Sequence, residues 1–201
     1  DVDTAFKIQT LADAVTAVLK GAAGDIGPTR EQWLALGFTG VTDGNLLAVQ
    51  NAINATANDG TGVDTLIELQ AVVSTAVGAT EEALNTLGLY AQTNGGTAPS
   101  LSTYTAAAVT GVTDGANGNL DAINSALASL SVTRVSVDTT AEVQALVNAY
   151  NAILSLADGT ANINNQDNPT EDTYALIGVT GVDTTAKASL LGDVIDAQPR
   201  N

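Results

Sequence analysis

The chain has 201 residues, with 22 acidic side chains against 6 basic ones, a formal net charge of −16, and no histidine, cysteine or methionine. The absence of His and Cys excludes Ser-His-Asp and Cys-His catalysis, thiol redox chemistry and every Cys/His metal site. The excess of negative charge excludes nucleic acid and anionic lipid surfaces as partners, because both are bound through clustered Lys and Arg.

Membrane insertion is not expected, because the longest apolar runs, such as residues 11–19, are interrupted by polar residues and fall short of the roughly 20 residues that span a bilayer. The sequence starts at Asp1, without Met or a basic-then-apolar leader, and we interpret it as a piece of a longer protein. High acidity with little lysine favours a salty or extracellular setting.

The sequence repeats itself with a period of about seventy residues. Thr-Gly-Val begins at positions 39, 110 and 180, at intervals of 71 and 70 residues, and occurs once more at position 61. A proline stands eleven residues before the threonines at 39, 110 and 180, and an aromatic residue stands five residues after each proline: Pro28, Pro99 and Pro169, then Trp33, Tyr104 and Tyr174. A second marker, Val-Asp-Thr, begins at positions 2, 63 and 137, and in these three places the aspartate is followed six positions later by a glutamine: Gln9, Gln70 and Gln144. The same tripeptide also begins at position 182, without the glutamine.

Each Val-Asp-Thr marker is followed by helical periodicity. The first copy has apolar residues at i, i+3, i+4 and i+7 spacing: Ile8, Leu11, Ala12, Val15, Val18 and Leu19. The same spacing recurs over residues 69–87 and 143–157. Thr65 with Glu68, and Thr139 with Glu142, have the spacing of a capping box. We count this helix as the third of each repeat.

The segment after each proline predicts a short first helix that carries the repeated aromatic residue, with Thr29 and Gln32 spaced as a capping box. Gly37 and Gly178 suit the left-handed position that ends a helix, whereas the second copy has Ala108 there, which costs more in that conformation.

Thr-Gly-Val then makes a corner, and a second helix follows, with Leu46, Val49 and Ile53 in the first copy. We expect this helix to be capped by a residue directly after the corner: Thr42, Asp43, Thr113 or Asp183. Residues 132–137 alternate as a strand does, and we interpret them as a linker.

The predicted fold is therefore all-α, an elongated series of tandem three-helix-bundle repeats of about seventy residues. Residues 1–27 are the third helix of an incomplete repeat, 28–98 and 99–168 are three-helix repeats, and 169–201 are the first two helices of an incomplete repeat.

The string P-x4-[WY]-x2-[LAI]-x-[FV]-T-G-V, followed by N-L-x-A-[VI]-x-x-A-[IL] and by V-D-T-x3-[LVI]-Q-[AT]-[LV], resembles the GA-like modules found in tandem in large secreted or surface proteins of Gram-negative bacteria. The resemblance covers nearly the whole chain. It implies a three-helix bundle shaped like the albumin-binding modules of Gram-positive surface proteins, used in adhesin-type arrays. Albumin binding is not implied, because the likeness concerns shape.

No catalytic, cofactor-binding or metal-binding residue is assigned, and the chain is not expected to be an enzyme. The adjacent carboxylates Glu81–Glu82 and Glu171–Asp172 point to different helix faces. Oxygen ligands for calcium occur in residues 114–121 and 162–172, but the spacing matches no EF-hand, and turn chemistry is the better interpretation. The repeated aromatic residues are expected in the core, in preference to stacking on a glycan.

The two incomplete ends suggest head-to-tail association with another copy of the chain, which would build a filament. In this hypothesis the apolar side chains of the first segment of one copy pack against those of the last segment of another copy: Ile8, Leu11, Val15 and Leu19 against Tyr174, Ile177, Val179 and Leu190. The competing interpretation is that the ends are arbitrary cuts through a longer array.

The expected function is that of a non-enzymatic structural segment, a spacer or self-assembling element, in a bacterial cell-surface or extracellular protein of the kind that supports adhesion or biofilms. The alternative is an adhesin module that binds a host protein or glycan. An exposed groove lined by aromatic residues favours the adhesin, whereas buried aromatic residues favour the spacer.

Overall fold

A computed structural model describes residues 4–57, 59–157, 159 and 168–199. These residues are mostly helical and contain no strand, which confirms the all-α fold class. The chain divides into two compact units: unit 1 comprises residues 1–82 with 106–108, and unit 2 comprises 83–105 with 109–201. The repeat boundaries predicted at residues 28, 99 and 169 stay predictions.

Unit 1 contains helices α1 (Ala5–Ala22), α2 (Arg30–Ala35) and α3 (Leu46–Asn54), and the part of α4 (Leu66–Gln92) up to residue 82. Helix α1 packs against both α2 and α3. Apolar residues of all four helices and of the loops between them form one buried cluster: Val18, Ala22, Trp33, Val41, Val49, Ile53, Val63, Leu69, Val73 and Ala76. Trp33 is completely buried in this cluster and makes an edge-to-face contact with Phe38, with ring centroids 5.3 Å apart.

Unit 2 contains the end of α4, helices α5 (Leu101–Ala106, its last residue falling in unit 1), α6 (Leu120–Leu127), α7 (Thr140–Leu156), α8 (Glu171–Leu176) and α9 (Thr185–Asp196). Helix α7 contacts α6, which precedes it, and also α8 and α9, which follow it. The predicted linker contains a 3₁₀ helix, Arg134–Ser136, and Arg134 Nη2 donates a hydrogen bond to Asn85 Oδ1 at 2.6 Å.

The turn that ends the first helix has the same geometry in all three copies. The residue at this position has a left-handed φ: +90° at Gly37, +58° at Ala108 and +81° at Gly178. The next N–H then bonds to the carbonyl of the repeated aromatic residue: Phe38 to Trp33, Val109 to Tyr104 and Val179 to Tyr174. Ala108 adopts this conformation at a cost of about 1–2 kcal/mol. At Gly178 a Cβ would also collide with the Ser129 hydroxyl.

The predicted helix caps are confirmed at the first and third helices but are wrong at the second. Capping boxes form at Thr29–Gln32, Thr65–Glu68 and Thr139–Glu142. The second helices begin later than expected, after Asn45, Asn119 and Thr184, so none of Thr42, Asp43, Thr113 and Asp183 is the cap. The reason is that the Asn45 side chain accepts from the Thr42 N–H and donates to the Gly40 carbonyl, which closes the corner before the helix starts.

Two tyrosines of unit 2 at the same repeat position differ in how their hydroxyl groups are satisfied. Tyr104 Oη donates to Asn124 Oδ1 at 2.7 Å, and Asn124 Nδ2 donates to the Pro99 carbonyl at 2.9 Å. Burial raises the pKa of Tyr104. Tyr174 is equally buried, but its hydroxyl has no hydrogen-bond partner among the described residues.

We therefore expect Tyr104→Phe to lower the free energy of unfolding by about 1–3 kcal/mol, because it leaves the buried Asn124 oxygen without a donor. Tyr174→Phe removes the same atom without breaking a bond and should leave the stability unchanged or slightly raise it. Urea unfolding followed by circular dichroism measures both variants. Equal losses in the two would contradict the assignment of the bond.

Candidate interaction surface

In unit 2, a glutamine on α7 holds the corner of the preceding hairpin by pairing with its backbone. The Thr110 N–H donates to Gln144 Oε1 at 2.8 Å, and Gln144 Nε2 donates to the Thr110 carbonyl at 3.0 Å. The amide is oriented by a further bond from Nε2 to Asn148 Oδ1 at 2.8 Å. The side-chain amide thus binds a backbone peptide group through both its donor and its acceptor.

Gly111, the residue after Thr110, also holds this corner in contact with α7. The Gly111 carbonyl accepts from Asn119 Nδ2 at 2.8 Å and from Asn151 Nδ2 at 2.9 Å. A Cβ at Gly111, whose φ is +80°, would lie 3.1 Å from Asn151 Nδ2 and 3.7 Å from Val147 Cγ1. The left-handed backbone conformation and the close approach of α7 therefore both favour glycine at this position.

The helices that follow the Val-Asp-Thr markers at positions 2, 63 and 137 carry one equivalent face, here called the joint face. Its members are Ile8, Ala12, Val15 and Leu19 on α1; Leu69, Val73, Ala76 and Thr80 on α4; and Val143, Val147, Tyr150 and Leu154 on α7. On α4 this face is covered, with Leu69 and Val73 6% and 3% exposed. On α7 its first half is covered, since Val143 and Val147 are fully buried, whereas Tyr150 and Leu154 are half-buried. On α1 it is open, with Ile8, Val15 and Leu19 exposed by 55%, 48% and 44%.

The residues expected to meet in a head-to-tail contact fall into three groups by their exposure. Ile8, Val15 and Leu19 at the head, and Val179 and Leu190 at the tail, are exposed. Leu11 and Ile177 are half-buried. Tyr174 is 1% exposed, because its ring fills the core of its own unit, and so it offers no outer surface. Sequence reasoning missed Val194, an exposed residue one turn after Leu190 on α9, although the i, i+4 spacing was visible.

The oxygen-rich loop after the second corner serves the turn. Asn119 Oδ1 accepts from the Thr113 N–H at 2.7 Å, and Asp114 Oδ1 accepts from the Gly115 N–H at 2.7 Å. In the second Asn/Asp-rich segment, residues 162–172, positions 162–167 lie outside the described residues. Within the part of the chain that the structure describes, no three acidic side chains are grouped so that they could hold a metal ion.

The adjacent carboxylates are exposed or serve helix ends. Glu81 and Glu82 are both exposed. The pKa of Glu171 is lowered because its carboxylate accepts from a backbone N–H at the start of α8 and from the Thr185 hydroxyl. Neither arrangement places two carboxyl groups to share a proton.

Two open cavities in unit 2 lie beside α7. One, of about 380 Å³, is lined by Ser131, Val132, Ser136, Glu142, Leu146, Asp172, Ala175 and Leu176. The other, of about 530 Å³, lies at the joint face of α7 and is lined by Ala116, Asn117, Gly118, Asn119, Ala122, Tyr150, Leu154, Ala157 and Pro199. The Glu142 carboxylate in the first is already bonded to the Thr139 N–H and hydroxyl, at 3.0 and 2.8 Å. Neither cavity is lined by Trp33, Tyr104 or Tyr174.

Comparisons with protein-family models, with curated proteins and with solved structures found no match. Among the described helices, none combines the length and the apolar content needed to cross a bilayer.

The Gln144 contact predicts a difference between two glutamines at the same repeat position. Gln144→Ala removes both bonds to Thr110 and should lower the free energy of unfolding by about 1–2 kcal/mol. Gln70→Ala is the matched control, because Gln70 is exposed, and this change should shift stability by less than about 0.5 kcal/mol. Chemical denaturation of both variants measures the difference. A loss at Gln144 no larger than that at Gln70 would contradict the backbone contact.

The start of α4 predicts a pH effect. The Thr65 hydroxyl, and then the Asp64 carboxyl, lower the pKa of Glu68 from its ordinary value of 4.5, while the hydrogen bond to Glu68 raises the pKa of Asp64. Because the hydrogen bond from the Thr65 hydroxyl lowers the pKa of Glu68 in the folded state, this bond stabilises the folded state above pH 4.5. Its contribution is lost as the pH falls through the lowered pKa of Glu68.

Carbon-13 titration of the carboxyl groups should show the pKa of Glu68 rising toward its ordinary value in Thr65→Val. The pKa of Asp59, which is lowered by its bonds to Thr61, should stay where it is in the same variant. If the pKa of Glu68 were the same in Thr65→Val as in the wild type, the Thr65 hydroxyl would not be what lowers it.

Proposed function

We propose that the chain is a non-enzymatic structural segment of a longer bacterial extracellular or cell-surface protein, built from tandem three-helix repeats and serving as a spacer or assembly element. The observation that carries the proposal is that the joint face packs against the preceding hairpin on both α4 and α7. A helix that contacts the hairpin before it and the hairpin after it, as α7 does, joins neighbouring repeats into one array.

The recurrent local geometry supports the tandem interpretation. The left-handed turn at residues 37, 108 and 178 recurs at the same place in each copy, even where alanine has to adopt it. The corner asparagine also recurs, since Asn45 and Asn119 make the same bonds to the corner backbone. These features, together with the resemblance to GA-like modules, favour a repeated bundle used in an adhesin-type array.

The surroundings of the aromatic residues favour a spacer over a glycan-binding adhesin. Trp33, Tyr104 and Tyr174 are buried in the cores, so they line no exposed groove on which a sugar ring could stack. Oxygen-bearing side chains such as Glu68, Asn119 and Glu142 serve caps and turns. The acidic surface would keep the copies of a long array from clumping nonspecifically.

An antibody raised against the chain tests this function in the bacterium that makes it. Immunogold labelling of intact cells should place the antigen on the cell surface or in extracellular material, and external protease should remove it. Denaturing gels should show a species far larger than a 201-residue chain. An antigen confined to the cell interior, at the size of the chain alone, would contradict the proposal.

A further inference from the structure

We infer that Asn117–Gly118 is a site of spontaneous covalent modification, at which the asparagine loses its side-chain amide and the main chain before α6 is lengthened. The chain has two Asn–Gly dipeptides, Asn94–Gly95 and Asn117–Gly118. Glycine after asparagine favours the reaction, because a residue without Cβ allows its nitrogen to approach the preceding side chain closely. The fold leaves the second dipeptide open to the reaction and restrains the first.

The reaction needs only the chain itself and water. The Gly118 nitrogen attacks Asn117 Cγ, so that a bond forms between these atoms while the Cγ–Nδ2 bond breaks. Nδ2 leaves as ammonia, together with the proton of the Gly118 N–H. Water then opens the cyclic imide at either of its carbonyl carbons. One product is aspartate, and the other is isoaspartate, whose main chain runs through Cβ and Cγ and is therefore longer by a methylene group.

Asn117 lies in an open turn that leaves its side chain unrestrained. The Gly118 N–H donates to the Gly115 carbonyl at 2.9 Å, which makes Asn117 the third residue of a tight turn. The Asn117 side chain is exposed at the cavity beside Tyr150, and it makes no hydrogen bond to a residue that the structure describes. Its amide can therefore rotate onto the Gly118 nitrogen without breaking a side-chain contact.

Asn94 is equally exposed but is held by both its main chain and its side chain. It has a left-handed φ of +51° directly after α4, and the Gly95 N–H donates to the Tyr90 carbonyl at 3.1 Å, as in a helix C-cap. Asn94 Nδ2 donates to the carbonyls of Ala91 and Ser129, at 3.4 and 3.3 Å. These contacts must break before Cγ can meet the next nitrogen, so the folded chain should react about tenfold more slowly here than at Asn117.

An isoaspartate at this place would open the corner that precedes α6. The Asn119 N–H donates to the Thr113 carbonyl at 3.0 Å, and Asn119 Nδ2 donates to the Gly111 carbonyl at 2.8 Å. A Cβ at Gly118 would collide with the Thr113 carbonyl oxygen, so the corner has no room for a further carbon. The added methylene group should therefore separate Asn119 from Thr113, whereas the aspartate product keeps the original length of the main chain.

Peptide mapping of the whole chain during incubation at mildly alkaline pH tests the site. Chymotrypsin cleaves after Tyr104 and separates the two dipeptides, and mass spectrometry follows the loss of each amide with time. In the folded chain Asn117 should react about tenfold faster than Asn94. In concentrated urea the two rates should become similar, because the contacts of Asn94 are lost. An isoaspartyl methyltransferase identifies the isoaspartate product.

Hydrogen exchange measured by NMR tests the consequence. After incubation the Asn119 N–H of the isoaspartate form should exchange with solvent at least about tenfold faster than in fresh protein. The Asn45 N–H, which donates to the Thr42 carbonyl in the first copy, should exchange at its original rate. Asn117→Asp is the matched control, because it has the added charge without the longer main chain, and its Asn119 N–H should exchange as in fresh protein.

Equal rates at the two dipeptides in the folded chain, a faster reaction at Asn94, or an unreacted Asn117 would overturn the assignment of the site. A difference between the sites that persists in urea would overturn its attribution to the fold. If Asn117→Asp accelerated exchange at Asn119 as much as the isoaspartate does, the added charge would be the cause, and the inferred opening of the corner by the longer main chain would be wrong.

Discussion

The structure depends on the fact that a hairpin of two short helices cannot bury its own apolar residues. Helix α2 has six residues and α3 has nine, too few to be stable alone in water. Residues of α1, which precedes this hairpin, and of α4, which follows it, complete the cluster around Trp33. The long helices are thus shared structural elements, and the apolar area that each hairpin needs is supplied by its neighbours in sequence.

The two covered joint faces use different chemistry for the same packing. In unit 1 the face of α4 is apolar from Leu69 to Ala76, and Val77 packs beside it at the position where α7 has Asn151. In unit 2 the face of α7 adds the bonds of Gln144 and Asn151 to the corner backbone. Apolar packing is therefore the common requirement, while the hydrogen bonds fix which part of the corner meets the helix, since a buried peptide group that loses its partner is costly.

Local features were predictable from the sequence, and features that depend on neighbouring elements were not. Capping boxes such as Thr139–Glu142 involve residues three apart, so their spacing is sufficient to identify them. The start of α3 was missed because it depends on Asn45 bonding back to the corner. The periodicity of the sequence predicts an equivalent stripe of apolar residues on α1 and α7. Ile8 is nevertheless exposed, whereas Val143 at the same position of α7 is buried. The packing of an adjacent hairpin decides which part of such a stripe is covered, and periodicity does not reveal it.

The central claim is that one face, repeated on three helices, is covered on two of them and open on the third. Paramagnetic relaxation of methyl protons by a soluble probe, measured by NMR on a dilute sample, tests it directly. The account predicts strong relaxation of Ile8, Val15 and Leu19 and protection of Leu69, Val73, Val143 and Val147. Equal relaxation of the two sets would contradict it.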